Sequence, residues 1–315
     1  MKLLTFEYQG KIRLGALKND RIIDLADAAQ AQGQLLPDNM ANFLTHQMDH
    51  WKNALQVIRN ARLDEDYCIE PDAILAPVPH PTSLRDGYAF RQHVEAARRN
   101  RGAEMVPEYD EFPVFYFSNH NAISGPGEIL VQEHHLNRLD FELECAVVIG
   151  RTGRNIAAEE ADEYIAGYTI MNDFSARALQ MQEMKLNLGP AKGKDFATAI
   201  GPYLVTRDEL ESNRIDSPDG ERHNLTMTAE VNGIEVSRDN LKNMHWTFAQ
   251  IIERASYGVT LFPGDVIGSG TCGTGCFLEL NGSGITDNQW LLDGDTVTLS
   301  IEGLGKLTNQ IKLVN

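Results

Sequence analysis

From residue 163 to the C-terminus the chain is a succession of short apolar runs: "EYIAGYTIMNDF", "PYLVT", "LTMTAEVNGIEVS", "DVIGSG", "CFLELNG" and "TVTLSIEGLGKLTNQIKL". Asn-Gly at 232–233, Pro-Gly-Asp at 263–265 and Asp-Gly-Asp at 293–295 punctuate them. Such residues reverse the chain cheaply, so the runs read as strands joined by tight turns. Strand and helix do not alternate here, which argues against a doubly wound parallel sheet. Two helices interrupt the series. One begins near Ser175 in "SARALQMQEMK" and the other is "TFAQIIERAS" after Thr247, each with a Ser or Thr suited to capping. The expected class is mixed α+β, rich in β.

The first 75 residues have a different rhythm. "KLLTFEY", "KIRLGALK" and "RIIDL", separated by Gln-Gly and Asn-Asp, read as consecutive hairpins. A helical pattern follows, with Phe43, Leu44, Met48, Trp51, Leu55 and Ile58 at helix-like spacings. The proline-rich "PDAILAPVPHPTS" then forbids helix and central strand. A boundary is expected there, with a small α/β lead domain over 1–75 and a larger domain over 76–315.

Bulk properties exclude several classes. The net charge of −17 argues against a general nucleic-acid surface. No apolar run approaches the ~18 residues that span a bilayer, and "MKLLTFEYQG" lacks the long apolar stretch of a signal peptide, so a cytoplasmic location is expected. Cys68, Cys145, Cys272 and Cys276 do not make a disulfide framework and are expected as free thiols. The Gly-rich "GSGTCGTG" has no Lys-Ser/Thr ending and is not a phosphate loop. "QEHH" at 132–135 looks like a metal motif but sits in a polar stretch and is expected as a solvated loop.

The stretch "LDFELECAVVIG" carries two glutamates inside an apolar strand. Side chains alternate along a strand, so Glu142 and Glu144 share a face about 7 Å apart. Either that face is solvated, or something neutralises the pair, because burying an unpaired ion costs several kcal/mol. Asp173, at a strand end before a helix, and Asp86 in "SLRDGYAFRQH" are further candidates. Together the four would make an all-oxygen site, suited to Mg²⁺, Mn²⁺ or Ca²⁺ rather than zinc.

From about residue 79 onward the chain resembles the fumarylacetoacetate hydrolase family, and within it the fumarylacetoacetases. The ordered motifs are "DGYAFRQH", "RGAE", "PVFY", "LDFELE", "NDFSARALQ", "LGPAKGKDFAT", and "SGT" followed by "FLEL". The resemblance implies a β-sandwich or roll catalytic domain behind a small lead domain. It implies Asp86, Glu142, Glu144 and Asp173 as ligands of a divalent cation, Mg²⁺ or Ca²⁺ with Mn²⁺ as a further option. His93 paired with Glu279, together with Lys194, would be catalytic, and Tyr88, Arg101, Tyr116, Gln180 and Thr271 would touch substrate. At Met184 the family enzyme has a substrate-contacting tyrosine, so one hydrogen bond is missing here.

The implied reaction is hydrolysis of a C–C bond in a small anionic 1,3-diketo acid, fumarylacetoacetate or an acylpyruvate, as in tyrosine degradation, by a homodimer. Family decarboxylases, hydratases and isomerases of 2-oxo acids carry a His-x-x-Glu lid dyad. Ala96 stands three residues after His93, which favours hydrolysis. A catalytically silent metal-binding relative is the remaining alternative.

Overall fold

The computed structural model describes residues 1–45 and 47–314. Among them the largest sheet has twelve strands, most on one path. In spatial order that path runs Cys68–Ile69, Arg21–Asp24, Lys11–Lys18, Lys2–Tyr8, Thr198–Val205, Ile165–Asp173, Leu143–Ile149, Val266–Gly268, Leu84–Gly87 and Phe115–Ser118. A second sheet of five strands is ordered Ile234–Asn240, Thr226–Val231, Thr296–Ile301, Gly305–Leu313 and Gly127–Val131. The fold is mixed α+β and rich in β.

The expected N-terminal hairpins form, and Lys2–Tyr8 joins the large sheet by pairing Lys2 with Val205 and Leu3 with Leu204. The helical run is described as helix over Met40–Thr45 and over Gln47–Asn60; His46 and the side chain of Met48 lie outside the described residues. Phe43, Leu44 and Val57 pack with Leu3, Leu14 and Ile23, and the same core takes in Ala146, Val148, Ala166 and Ile200 from the middle of the chain. On its opposite face the large sheet presents Leu143, Cys145, Val147 and Ile170 to Met227, Ala229, Leu299 and Leu307 of the second sheet. Leu143–Ile149 is therefore covered on both faces.

That double cover decides the question of the two glutamates. Glu142 is 5% exposed and Glu144 is fully buried, so their face is not solvated. The stretch is also not one continuous strand. Leu139–Asp140 pairs with Ser175–Ala176, and the chain re-enters the large sheet at Leu143.

Three local expectations need correction. "CFLELNG" contains a helix, Phe277–Gly282, rather than a strand, because the Asp140 carboxylate accepts the Phe277 and Leu278 N–H groups at 2.7 and 3.0 Å. A side chain remote in sequence thus satisfies the orphan donors of that helix. Ser175 does not cap the next helix: it lies in a short strand, its hydroxyl donates to the Asp173 carbonyl, and the helix starts at Arg177. "QEHH" ends in a one-turn helix, Glu133–Leu136, with His135 stacked on Phe196 at 4.2 Å. Thr247 caps Phe248–Ser256 as expected, through a box with Gln250, and all four thiols are free.

Candidate active site

The acidic residues sit where strand ends meet. Asp86 lies on Leu84–Gly87, which runs parallel to Val266–Gly268 with Asp86 opposite Gly268. Glu144 pairs with Met171, and the Glu142 N–H donates to Asn172 Oδ1 at 3.0 Å, which brings Asp173 alongside. One oxygen each from Asp86, Glu142 and Glu144 lie within 4.8 Å of one another. Asp173 stands just outside this triad and accepts hydrogen bonds from Lys194 Nζ at 2.7 Å and from the Tyr116 hydroxyl.

Lys194 also donates to Glu142 Oε2, so one ammonium bridges two carboxylates. Arg177, on the first turn of its helix, donates from Nη2 to Glu142 Oε1 at 2.7 Å and from Nε to Asp140 Oδ2 at 2.8 Å. Neither Arg177 nor Asp140 was expected in the site from sequence. A signal existed: a buried group of carboxylates demands buried cations, and Arg177 lies inside the quoted "NDFSARALQ".

These contacts divide the carboxylates sharply. Burial works to raise Glu142, but Lys194 and Arg177 outweigh it and hold it at about 2. Burial, with the charge of Asp173 added, lifts Asp86 to about 7. Glu144 is pushed well above the carboxylate range by burial and by the charges of Asp86 and Glu142. Its Oε2 is buried with no hydrogen-bond partner, while Thr271 donates to its Oε1 at 3.4 Å. The two cations leave part of this negative charge uncompensated, and all the donors are oxygens. Space is reserved too, since a Cβ on Gly268 would meet Asp86 Oδ1 at 2.4 Å and Glu144 Oε2 at 3.1 Å. Asp86, Glu142 and Glu144 fit a hard divalent cation.

A cavity of about 1200 Å³ opens over this cluster. Its lining brings together Asp86, Tyr88, His93, Arg101, Tyr116, Glu142, Gln180, Met184, Lys194, Thr271 and Glu279; Glu144 and Asp173 are not part of it. His93, buried on helix Arg91–Arg99, bonds through Nδ1 to Glu279 Oε2 at 2.6 Å. With Nδ1–H donating to the carboxylate, Nε2 is the nitrogen left to take a proton. Tyr88 stands edge-on to His93 at 5.9 Å between ring centroids. Gln180 accepts from Arg177 at 3.0 Å, which leaves its amide donors uncommitted. Arg101 is exposed and bonds the Ala97 carbonyl, and Met184 is 41% exposed at the cavity wall. Ala96 is buried on the helix that carries His93.

A β-rich two-sheet fold with a buried carboxylate triad beneath a His–Glu pair defines the class of protein. Residues 82–312 match the family described as fumarylacetoacetate (FAA) hydrolase C-terminal, and the chain belongs to that family. It is 31% identical over 304 residues to the fumarylacetoacetate hydrolase domain-containing protein 2 homolog of Dictyostelium discoideum, covering 95% of this chain and 92% of that one. It is 29% identical to the oxaloacetate tautomerase YisK of Bacillus subtilis, covering 99% and 100%. To the maleylpyruvate hydrolase of Aquipseudomonas alcaligenes it is 30% identical, with both chains covered in full. The solved fumarylacetoacetate hydrolase of Exiguobacterium antarcticum superposes with a TM-score of 0.72 at 26% identity over both whole chains. The family is thereby settled, and its members' names span hydrolysis and tautomerisation. Among the described residues no helix is long and apolar enough to cross a membrane.

Proposed function

We propose that the protein is a divalent-metal-dependent hydrolase that cleaves the C–C bond of a 1,3-diketo acid of the acylpyruvate type. The observation that carries this reading is the His93–Glu279 contact of 2.6 Å in the same cavity as the carboxylate triad. A cation held by Asp86, Glu142 and Glu144 would act as a Lewis acid toward the 1,3-dicarbonyl oxygens. His93 Nε2 removes a proton from water, and Glu279 orients the ring and stabilises the imidazolium. The hydroxide adds to the acyl carbonyl, the C–C bond breaks, and the departing carbon takes a proton, giving a carboxylic acid and a 2-oxo acid. Two protons of the Lys194 ammonium are committed to Glu142 and Asp173. The third is available to a substrate oxygen as negative charge develops. Gln180 adds neutral donors, and Tyr88, Tyr116, Arg101 and Thr271 position the chain of the substrate.

A second reading is favoured by one specific finding, the similarity to a tautomerase along the whole of both chains. There His93 would move a proton between carbon and oxygen of a 2-oxo acid without cleavage. Incubation with an acylpyruvate panel and with oxaloacetate separates the two. Stoichiometric release of two carboxylic acids supports hydrolysis. Enol absorbance that decays with solvent-proton exchange at C3 and no new acid supports tautomerisation instead.

A further inference from the structure

Lys194 lies on no helix or strand: residues 187–197 form irregular chain between Met184–Leu186 and Thr198–Val205. A side chain on a turn is only as well placed as the contacts that fix its backbone. The Gly193 carbonyl accepts the Ala176 N–H at 2.9 Å, and Asn119 Nδ2 donates to the Asp195 carbonyl at 2.9 Å. A third tie comes from Glu183, the last residue of helix Arg177–Glu183. Its Oε2 accepts the N–H groups of Ala191 and Gly193 at 2.8 and 3.2 Å, and its Oε1 accepts that of Lys192 at 2.7 Å. Burial works to raise Glu183, but these donors outweigh it and hold it below its ordinary value. Its own helix disfavours a carboxylate at that place, because the C-terminal end carries partial negative charge. The three N–H groups offset that.

Residues 184–190 leave the helix and return to this carboxylate, turning at Asn187 and Gly189 with φ of 55° and 114°. Leu186 and Leu188 are 81% and 93% exposed, so burial of these side chains does not close the loop. The returning chain lies directly on the helix. A Cβ at Gly193 would meet the Gln180 backbone nitrogen at 2.6 Å. We propose that Glu183 is a positioning residue: by clasping the backbone of residues 191–193 it docks Lys194 against the helix of Arg177 and Gln180 and aims the uncommitted ammonium proton at the substrate oxygen. Its role in turnover rests on the reading of Lys194 as the donor to developing negative charge. Glu183 is not part of the cavity lining, so it acts through Lys194 and not on substrate.

Acetylation with acetic anhydride, followed peptide by peptide in a mass spectrometer, reads the placement of buried Lys194 without any turnover, and exposed Lys306 is the control. In Glu183→Ala, Lys194 is expected to react at least about tenfold faster than in the wild type, the factor that losing one charge-assisted hydrogen bond adds to local opening, with Lys306 unchanged. Glu183→Gln keeps one acceptor oxygen and should fall between the two. On acetylpyruvate in excess Mg²⁺, Glu183→Ala is expected to lose about 10²-fold in kcat with KM nearly unchanged. Lys194→Gln should lose at least as much, and the double variant no more than Lys194→Gln, because both changes act on one proton donor. Wild-type labelling of Lys194 in Glu183→Ala would overturn the clasp, and losses that multiply in the double variant would overturn action through Lys194. Faster labelling in a protein that cleaves no acylpyruvate would overturn the hydrolase reading and leave the clasp standing.

Discussion

Two pairs of neighbouring strands, built on the same backbone geometry, treat polar residues in opposite ways. In Thr226–Val231 and Thr296–Ile301 burial alternates residue by residue, with Met227, Ala229, Val297 and Leu299 inward and threonines outward. In Leu143–Ile149 and Ile165–Asp173 every residue is buried, Glu144, Asn172 and Asp173 included. The difference is the number of covered faces. The second sheet is covered on one face, as antiparallel sheets commonly are, whereas the central strands of the large sheet lie between that sheet and the N-terminal helices. On a one-sided strand a polar residue simply faces water. On a two-sided strand it must be compensated, so a polar residue there marks chemistry.

The sharpest way to break this contrast is to remove the base from the two-sided region's site. His93→Ala is expected to lower kcat on a cleaved diketo acid by about 10²–10⁴-fold with metal affinity nearly unchanged. Glu279→Gln should lose no more than that, and the double variant should be no worse than the poorer single one, since the 2.6 Å pair acts as a unit. Additive losses, or wild-type turnover in His93→Ala, would show that the cavity's chemistry lies elsewhere.

The one-sided sheet should respond in the other currency. Leu299→Ala opens a cavity at a fully buried position and is expected to cost about 2–5 kcal/mol of stability by urea titration. Its kcat, measured on the folded fraction, should stay at the wild-type value. A drop in kcat as large as that of His93→Ala would mean the two sheets are not functionally separate.

The same contrast explains what the sequence disclosed. Period-two alternation made Thr226–Val231 and Thr296–Ile301 legible, and turn residues located their ends. Glu142 and Glu144 were legible as an anomaly, but whether water or a second layer covered them depended on helices about a hundred residues upstream. Phe277–Gly282 was misread because its cap is Asp140, more than a hundred residues away, and no local pattern encodes that contact. Arg177 and Asp140 escaped notice for the same reason. Their roles exist only once Arg177 Nη2 meets Glu142 and Asp140 meets Phe277.

Metal-free protein offers a smaller effect, readable as stability against pH. Asp86 is held above its ordinary value, at about 7, by burial and by Asp173. The folded state therefore keeps a proton that the unfolded state releases. The stabilisation is full below the ordinary carboxylate range and is lost as pH rises through about 7. In chelator, Tm should fall across that window, and excess Mg²⁺ should restore it by binding the folded state alone. Glu144→Gln, which removes another raised carboxyl, should flatten the decline and weaken Mg²⁺ binding by calorimetry. A Tm that climbs with pH in chelator would contradict the assigned proton balance.

The smallest expected change lies on the outward face of the one-sided sheet, where Thr298 and Thr308 share a cross-strand hydroxyl contact of 3.0 Å. Such a pair contributes about 0.2–1 kcal/mol relative to alanine, and its hydroxyls can turn to water when one is lost. Thr298→Ala should therefore shift the urea midpoint slightly and leave kcat and Mg²⁺ affinity untouched. Thr198 is the counterpart in the two-sided region: it is buried, and its hydroxyl faces Asp173 Oδ1 at 3.5 Å. Thr198→Ala removes a neighbour of the acidic cluster and should change Mg²⁺ affinity measurably. If the two alanine substitutions prove equally silent in metal titration, double cover alone does not make a strand's polar residues functional, and only those within direct reach of the carboxylate triad count.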